Sequence, residues 1–206
     1  LGDVYKRQIL MSKNFQEKFT EASRIYLALE DEIREMYRFD TNPRIKLDDA
    51  IKSFDLLVQL IFLNLCALDN NVSEDELKFI KKLTVEEDIL DFINEKKSDK
   101  IEWSQISSAN LNSEQYRDFL EYVSNAASLK INSFIMLLAS IDALTKKDYL
   151  YRFKQGFKEL TMFFVSANSD KDYNYEVDQI LNKTFIYKYR SLKTIFSMAK
   201  NEEVKR

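Results

Sequence analysis

An all-α fold is predicted by three features of the sequence. Glycine and proline are nearly missing, apolar residues recur in steps of three and four, and helix-start signatures repeat along the chain. Two glycines and one proline in 206 residues leave little punctuation for hairpins or sandwiches. A hydrophobic share of 45% is enough for one domain with its own core. The expected architecture is a single compact bundle of roughly seven or eight helices.

The first residues stand apart. Residues 1–10 contain DVYKRQ, which looks like the translation of a transposon-end adapter used in sequencing libraries. They are expected to be a non-native scar, with Met11 as the natural start and no signal peptide. Residues 11–200 are expected to form the domain, and 201–206 a frayed tail.

From Phe15 the apolar positions run Phe19, Ala22, Tyr26, Leu29, Ile33 and Met36, a heptad seam on an otherwise charged helix. Such a seam fits docking within its own bundle or a dimeric coiled coil, so monomer and homodimer both stay open. Asn42-Pro43 ends this helix, because the residue before proline is pushed out of the α region. A second helix, Leu47–Leu68, is apolar on most sides, as a central helix should be. It stops at Asp69-Asn70-Asn71, and Ser73 with Glu76 forms a capping box that opens the next helix. Thr84 with Glu87 reads as another capping box. Trp103 and Ile106 are expected to pin an irregular segment over 98–110. Asn112 caps a long helical region reaching about Thr145, in which Asn125–Ser128 could introduce a bend. Helices over 147–168 and 173–200 complete the chain.

Several function classes are excluded or disfavoured. Near-zero glycine rules out phosphate-cradling loops. Histidine is absent, which removes the commonest general base, zinc ligand and pH switch. The lone Cys66 lies in an apolar run and reads as a buried small residue; with no disulfide possible, a reducing cytoplasm is the expected location. The apolar runs Leu56–Leu68 and Ser133–Leu144 are too short to cross a bilayer. A net charge of −3 gives no reason to expect nucleic acid. The small cluster Tyr187, Lys188, Tyr189, Arg190 and Lys193 does not outweigh it. Asp31, Glu32 and Glu35, near Arg34 and Arg38, read as a solvated, locally paired face. A hydrolase built on clustered carboxylates lacks any base–nucleophile arrangement, so no enzymatic activity is expected.

A shift of one hundred positions lays Leu60, Ala67, Glu76 and Ile80 on the identical types Leu160, Ala167, Glu176 and Ile180. In both places an apolar helix ends in an acidic turn, followed by a glutamate in the next helix's first turn. Two related helical hairpins are expected. At Ala67-Leu68-Asp69-Asn70-Asn71-Val72-Ser73-Glu74-Asp75-Glu76 the chain resembles the TerB-like (tellurite-resistance) helical family. Asp69, Val72, Ser73 and Glu76 match that family's pattern, and Asn70 replaces its glycine. The resemblance covers residues 47–83 and, more faintly, 147–183. It implies an all-helical module with two acidic turns that bind divalent cations, acting in stress response through a protein partner. In the second turn Ser169 stands at the place of Asp69, so only Glu176 carries over directly.

With no histidine, any metal site must be built from oxygen, which favours Ca2+, Mn2+ or Mg2+. The candidate ligands are Asp69, Asn71 and Glu76 in the first turn, with Asp170, Asp172 and Glu176 in the second. A standard EF-hand is rejected, since Tyr175 and Leu181 occupy its glycine and bidentate-glutamate positions. The competing reading is purely structural: acids at a helix start are stabilised by capping and the macrodipole without metal. A metal-free scaffold or adaptor is therefore the alternative to a cation-binding module.

Overall fold

The computed structural model describes residues 2–38, 45–69, 71–95, 99–168 and 172–185, with backbone alone for 2–12 and 168. All regular structure among these residues is helical: α1 (Gly2–Met36), α2 (Leu47–Cys66), α3 (Glu74–Leu83), α4 (Ile89–Asn94), a 3-10 turn (Trp103–Ile106), α5 (Ser113–Thr145), α6 (Tyr149–Asn168) and α7 (174–185). The expected all-α class is the fold observed.

α2 is the central element because its sequence is apolar nearly all round. Phe54, Leu57, Val58, Phe62, Leu63 and Cys66 are fully buried. α5 runs antiparallel to it, tied by the Tyr116 hydroxyl donating to the Leu63 carbonyl at 2.8 Å and by Lys130 to Asp49 at 3.4 Å. α1 and α6 also pack antiparallel, with Glu32 paired to Arg152 at one end and Lys18 over the Phe163 ring at the other. Between them Gly156 brings the backbones close: a Cβ there would lie 2.6 Å from Cδ2 of Leu29. α7 runs back along α6, through Lys158–Asp178 at 2.9 Å and Lys154 to Asn182 at 2.7 Å.

The α1 heptad seam is spent inside the molecule. Ala22, Ile33 and Met36 are fully buried, and Phe15 and Phe19 meet Phe79 of α3 edge-on at 5.5 and 5.1 Å. Aromatic rings carry the core onward, from Phe79 to Phe164 at 5.2 Å and from Phe164 to Phe62 at 4.3 Å.

Three sequence expectations change, and α1 extends N-terminally of the seam that starts at Phe15, beginning at Gly2. α5 is continuous through Asn125–Ser128, where the Ser128 hydroxyl bonds the Asn125 carbonyl within the helix. That continuity makes α5 long and apolar enough to match a membrane span by length and composition. Phe134, Ile135, Leu138 and Ile141, however, pack into the core, as in a buried bundle helix. Finally, Thr84 does not open a capping box. It ends α3 with its hydroxyl on the Ile80 carbonyl, and Asp88 caps α4 through the Leu90 amide at 2.8 Å. The competitor that takes the Glu86 and Glu87 amides is Asp55 of α2, at 2.9 and 3.1 Å.

The α5–α6 connection shows local strain matched by capping. Lys146 and Asp148 take positive φ of 56° and 55°, a region costly for residues bearing a Cβ. Asp142, one turn earlier on α5, reaches across to accept the amides of Tyr149 and Leu150, which satisfies the first turn of α6. The Tyr149 ring stacks under Arg152, but its buried hydroxyl has no partner among the described residues. Tyr149→Phe is therefore expected to raise stability by about 1 kcal/mol, because the desolvation of an unpaired hydroxyl disappears while the ring remains. Urea unfolding reads this directly, and a loss of stability would show that the hydroxyl is satisfied in solution.

Candidate functional site

The first acidic turn joins α2 to α3. Ala67–Asp69 leave the helix as a turn, and the Asp69 carboxylate accepts the Asn71 amide at 2.9 Å. Ser73 then caps α3. Its hydroxyl accepts the Glu76 amide at 3.2 Å, while the Glu76 carboxylate accepts the Ser73 amide at 2.8 Å and hydroxyl at 2.9 Å. The capping box read from the sequence is present in full. Glu76 is buried, and this burial pushes its carboxyl above the usual range, with the Asp69 charge adding to the push and the Ser73 bonds opposing it. Ser73→Ala should cost about 1 kcal/mol in thermal or urea unfolding, the usual worth of a serine cap.

Asp69 and Glu76 border one small cavity of about 10 Å3, closed by Leu65, Leu68, Phe164, Val165 and Tyr173. Both residues line that space, which is fit for one water at most, while their carboxylates bond the Asn71 amide and Ser73 respectively. Asn71 is exposed, and its backbone rather than its side chain meets Asp69.

In the second turn Asp172 accepts the Asn174 amide at 2.9 Å and its side-chain amide at 2.6 Å, at the start of α7. Glu176 lies half-buried one turn on. Asp170, Ser169 and Asn70 lie outside the described residues, as do Asn42-Pro43, the Tyr187–Lys193 cluster and the tail. Among the described residues, no three acidic or thiol groups converge as a metal-holding set.

The strongest polar constellation lies elsewhere and escaped the sequence reading. Asp55 is fully buried in α2, and its carboxylate accepts the Tyr26 hydroxyl together with the Glu86 and Glu87 amides. One turn on, Gln59 donates to the Glu87 carbonyl at 2.6 Å and accepts the Ile89 amide at 2.9 Å. The signal was available: Asp55 and Gln59, four apart, are the polar residues of an apolar helical face. Together they cradle the α3–α4 connection. The Asp88 carboxylate then holds the Trp103 indole at 2.8 Å, pinning the irregular segment as expected.

Burial raises the Asp55 carboxyl to about 6 against an ordinary 3.8, outweighing the three donors, and the nearby Glu30 charge adds to the rise. A folded-state pKa above the unfolded one adds stability that is complete below about 3.8 and lost as pH rises through about 6. The wild type should thus gain stability relative to Asp55→Asn between pH 7 and pH 4.5. Parallel urea series would show the two curves converging at high pH or staying a constant distance apart, the latter excluding titration of Asp55. Burial likewise pushes up Cys66 and the phenol of Tyr116, which makes the thiol unreactive.

No family model, curated protein or solved structure matches the chain.

Proposed function

We propose that this protein is a non-enzymatic, TerB-like helical module that acts by binding a protein partner, with its first acidic turn serving as a helix cap. The observation that carries this reading is the reciprocal Ser73–Glu76 box. It occupies the glutamate that the family resemblance makes a cation ligand, and it accounts for that residue without metal. The outer face of α5 supports the partner role. Leu129 is 77% exposed, and Met136, seven residues on and so on the same face, is also solvent-exposed.

A second reading keeps a hard divalent cation, Ca2+, Mn2+ or Mg2+, at the first turn. It is favoured by Asp69 and Glu76 bordering the same cavity.

One titration decides between them. Calorimetry of the full chain with each cation is run beside an Asp69→Ala/Glu76→Gln variant whose helicity is checked by circular dichroism. Absence of heat supports the cap. Micromolar binding lost in the variant establishes the cation module and removes the metal-free reading. The partner role is tested by a photo-crosslinking residue at position 129. A discrete adduct that is absent with the crosslinker at exposed Lys81 supports it, and identical patterns at both positions reject it.

A further inference from the structure

A cavity of about 330 Å3 opens beside the first acidic turn, where the chain before α5 crosses it. Its floor is apolar, made by Ala67, Val72, Leu111 and the ring of Tyr116, whose hydroxyl is turned away to the Leu63 carbonyl. Its rim is Ser108, Asn112, Ser113 and Arg117. Backbone ties make the wall: the Ser108 amide donates to the Val72 carbonyl at 3.0 Å, and the Val72 amide donates to the Ser108 hydroxyl.

The lining is rich in donors and holds no carboxylate, in a chain with 34 acidic residues. The Ser108 hydroxyl accepts from Val72 and keeps its own proton to give. Arg117, like Arg38, enters none of the ion pairs found among the described residues, whereas Arg24, Arg34 and Arg152 are each paired to a glutamate. The end of α5 is not the binding element, because Asn112 already accepts the Glu114 and Gln115 amides at 3.0 Å. What remains is one guanidinium and two hydroxyls above an apolar floor.

That combination selects among anions. A phosphate or sulfate would leave the apolar floor unfilled and would bring two charges to a single arginine. A carboxylate matches the planar fork of one guanidinium, and its hydrocarbon body matches the floor.

We propose that this cavity binds a monocarboxylate on a short aliphatic body, with the carboxylate on Arg117, Ser108 and Ser113 and the body against Val72, Leu111 and Tyr116. The same chemistry is offered by a free branched-chain acid and by the C-terminal leucine of a polypeptide. The site is independent of the cap-or-cation question at Glu76.

The test uses the full, isotopically labelled chain and amide NMR. The probes are isocaproate, isohexanol, and an acetylated peptide ending in leucine as free acid or as amide. Saturable shifts at Val72, Ser108 and Ser113–Arg117 are expected for the acids, with a Kd of about 1 mM or tighter. Binding should weaken about tenfold in Arg117→Gln, an exposed position whose loss leaves the remaining spectrum unchanged. Tighter binding of the peptide acid assigns the polypeptide source, tighter binding of isocaproate the free acid, and either result upholds the site. No saturation with either acid, equal binding of isohexanol, or undiminished binding by Arg117→Gln overturns it.

Discussion

Replacing Asp55 by alanine is expected to lower the unfolding free energy by about 3–5 kcal/mol at neutral pH, from roughly 1–3 kcal/mol for each of three donors left unsatisfied, at the low end where water reaches them. The carboxylate is the shared acceptor for the Tyr26 hydroxyl and for the Glu86 and Glu87 amides. Its removal strands three donors at once, each buried or partly so. Asp55→Asn should fall between wild type and alanine, because one amide oxygen still accepts while the NH2 group faces donors. Urea unfolding of the three proteins measures this. A loss under about 1 kcal/mol would mean that water replaces the carboxylate and that the α3–α4 connection is not held by α2. Hydrogen exchange offers a second readout: the Glu86 and Glu87 amides should lose protection in Asp55→Ala before the rest of the core does.

Phe54→Ala should cost about as much, roughly 3–5 kcal/mol, by cavity formation rather than by stranded polar groups. Phe54 is fully buried and sits among four rings: Tyr26 stacked at 5.2 Å, Phe157 at 5.7 Å, Phe134 at 6.0 Å and Phe153 at 6.2 Å. These belong to α1, α6 and α5, so one side chain of α2 links three other helices. Well-packed rings on all sides cannot collapse into the vacated space, which places the expected loss high in the range. Leu27→Ala, at an exposed position on α1, is the control and should shift stability by less than about 0.5 kcal/mol. Comparable losses for the two would contradict the core described.

Helix starts were legible wherever a local signature sufficed. The Ser73–Glu76 box and the Asn112 cap involve residues three apart, so sequence spacing alone specifies their geometry. The Thr84 expectation failed for the opposite reason. Its motif is locally sound, but Asp55, thirty-one positions earlier than Glu86, captures the amides that the box would have used. No local window contains that competitor. The candidate ligands divide in the same way. Asp69 and Glu76 share a turn and border one cavity, too small for more than a water, with Glu76 folded back onto Ser73.

The α1 seam shows the same division. Its heptad spacing established a buried stripe but left two partners open, its own bundle foremost, since a seam records which face is apolar and not what covers it. The tertiary structure chose α6, with Gly156 allowing the close approach at Leu29, and α3, through Phe79. Composition and periodicity therefore determined by themselves that this chain is all-α, where most of its helices begin, and which faces they bury. Only the tertiary structure decided which helices meet, that Asp55 is the polar centre of the core, and that Arg117 lines an open cavity with no ion pair among the described residues. Helix formation depends on neighbours three and four residues apart, whereas these pairings depend on residues brought together from distant parts of the chain.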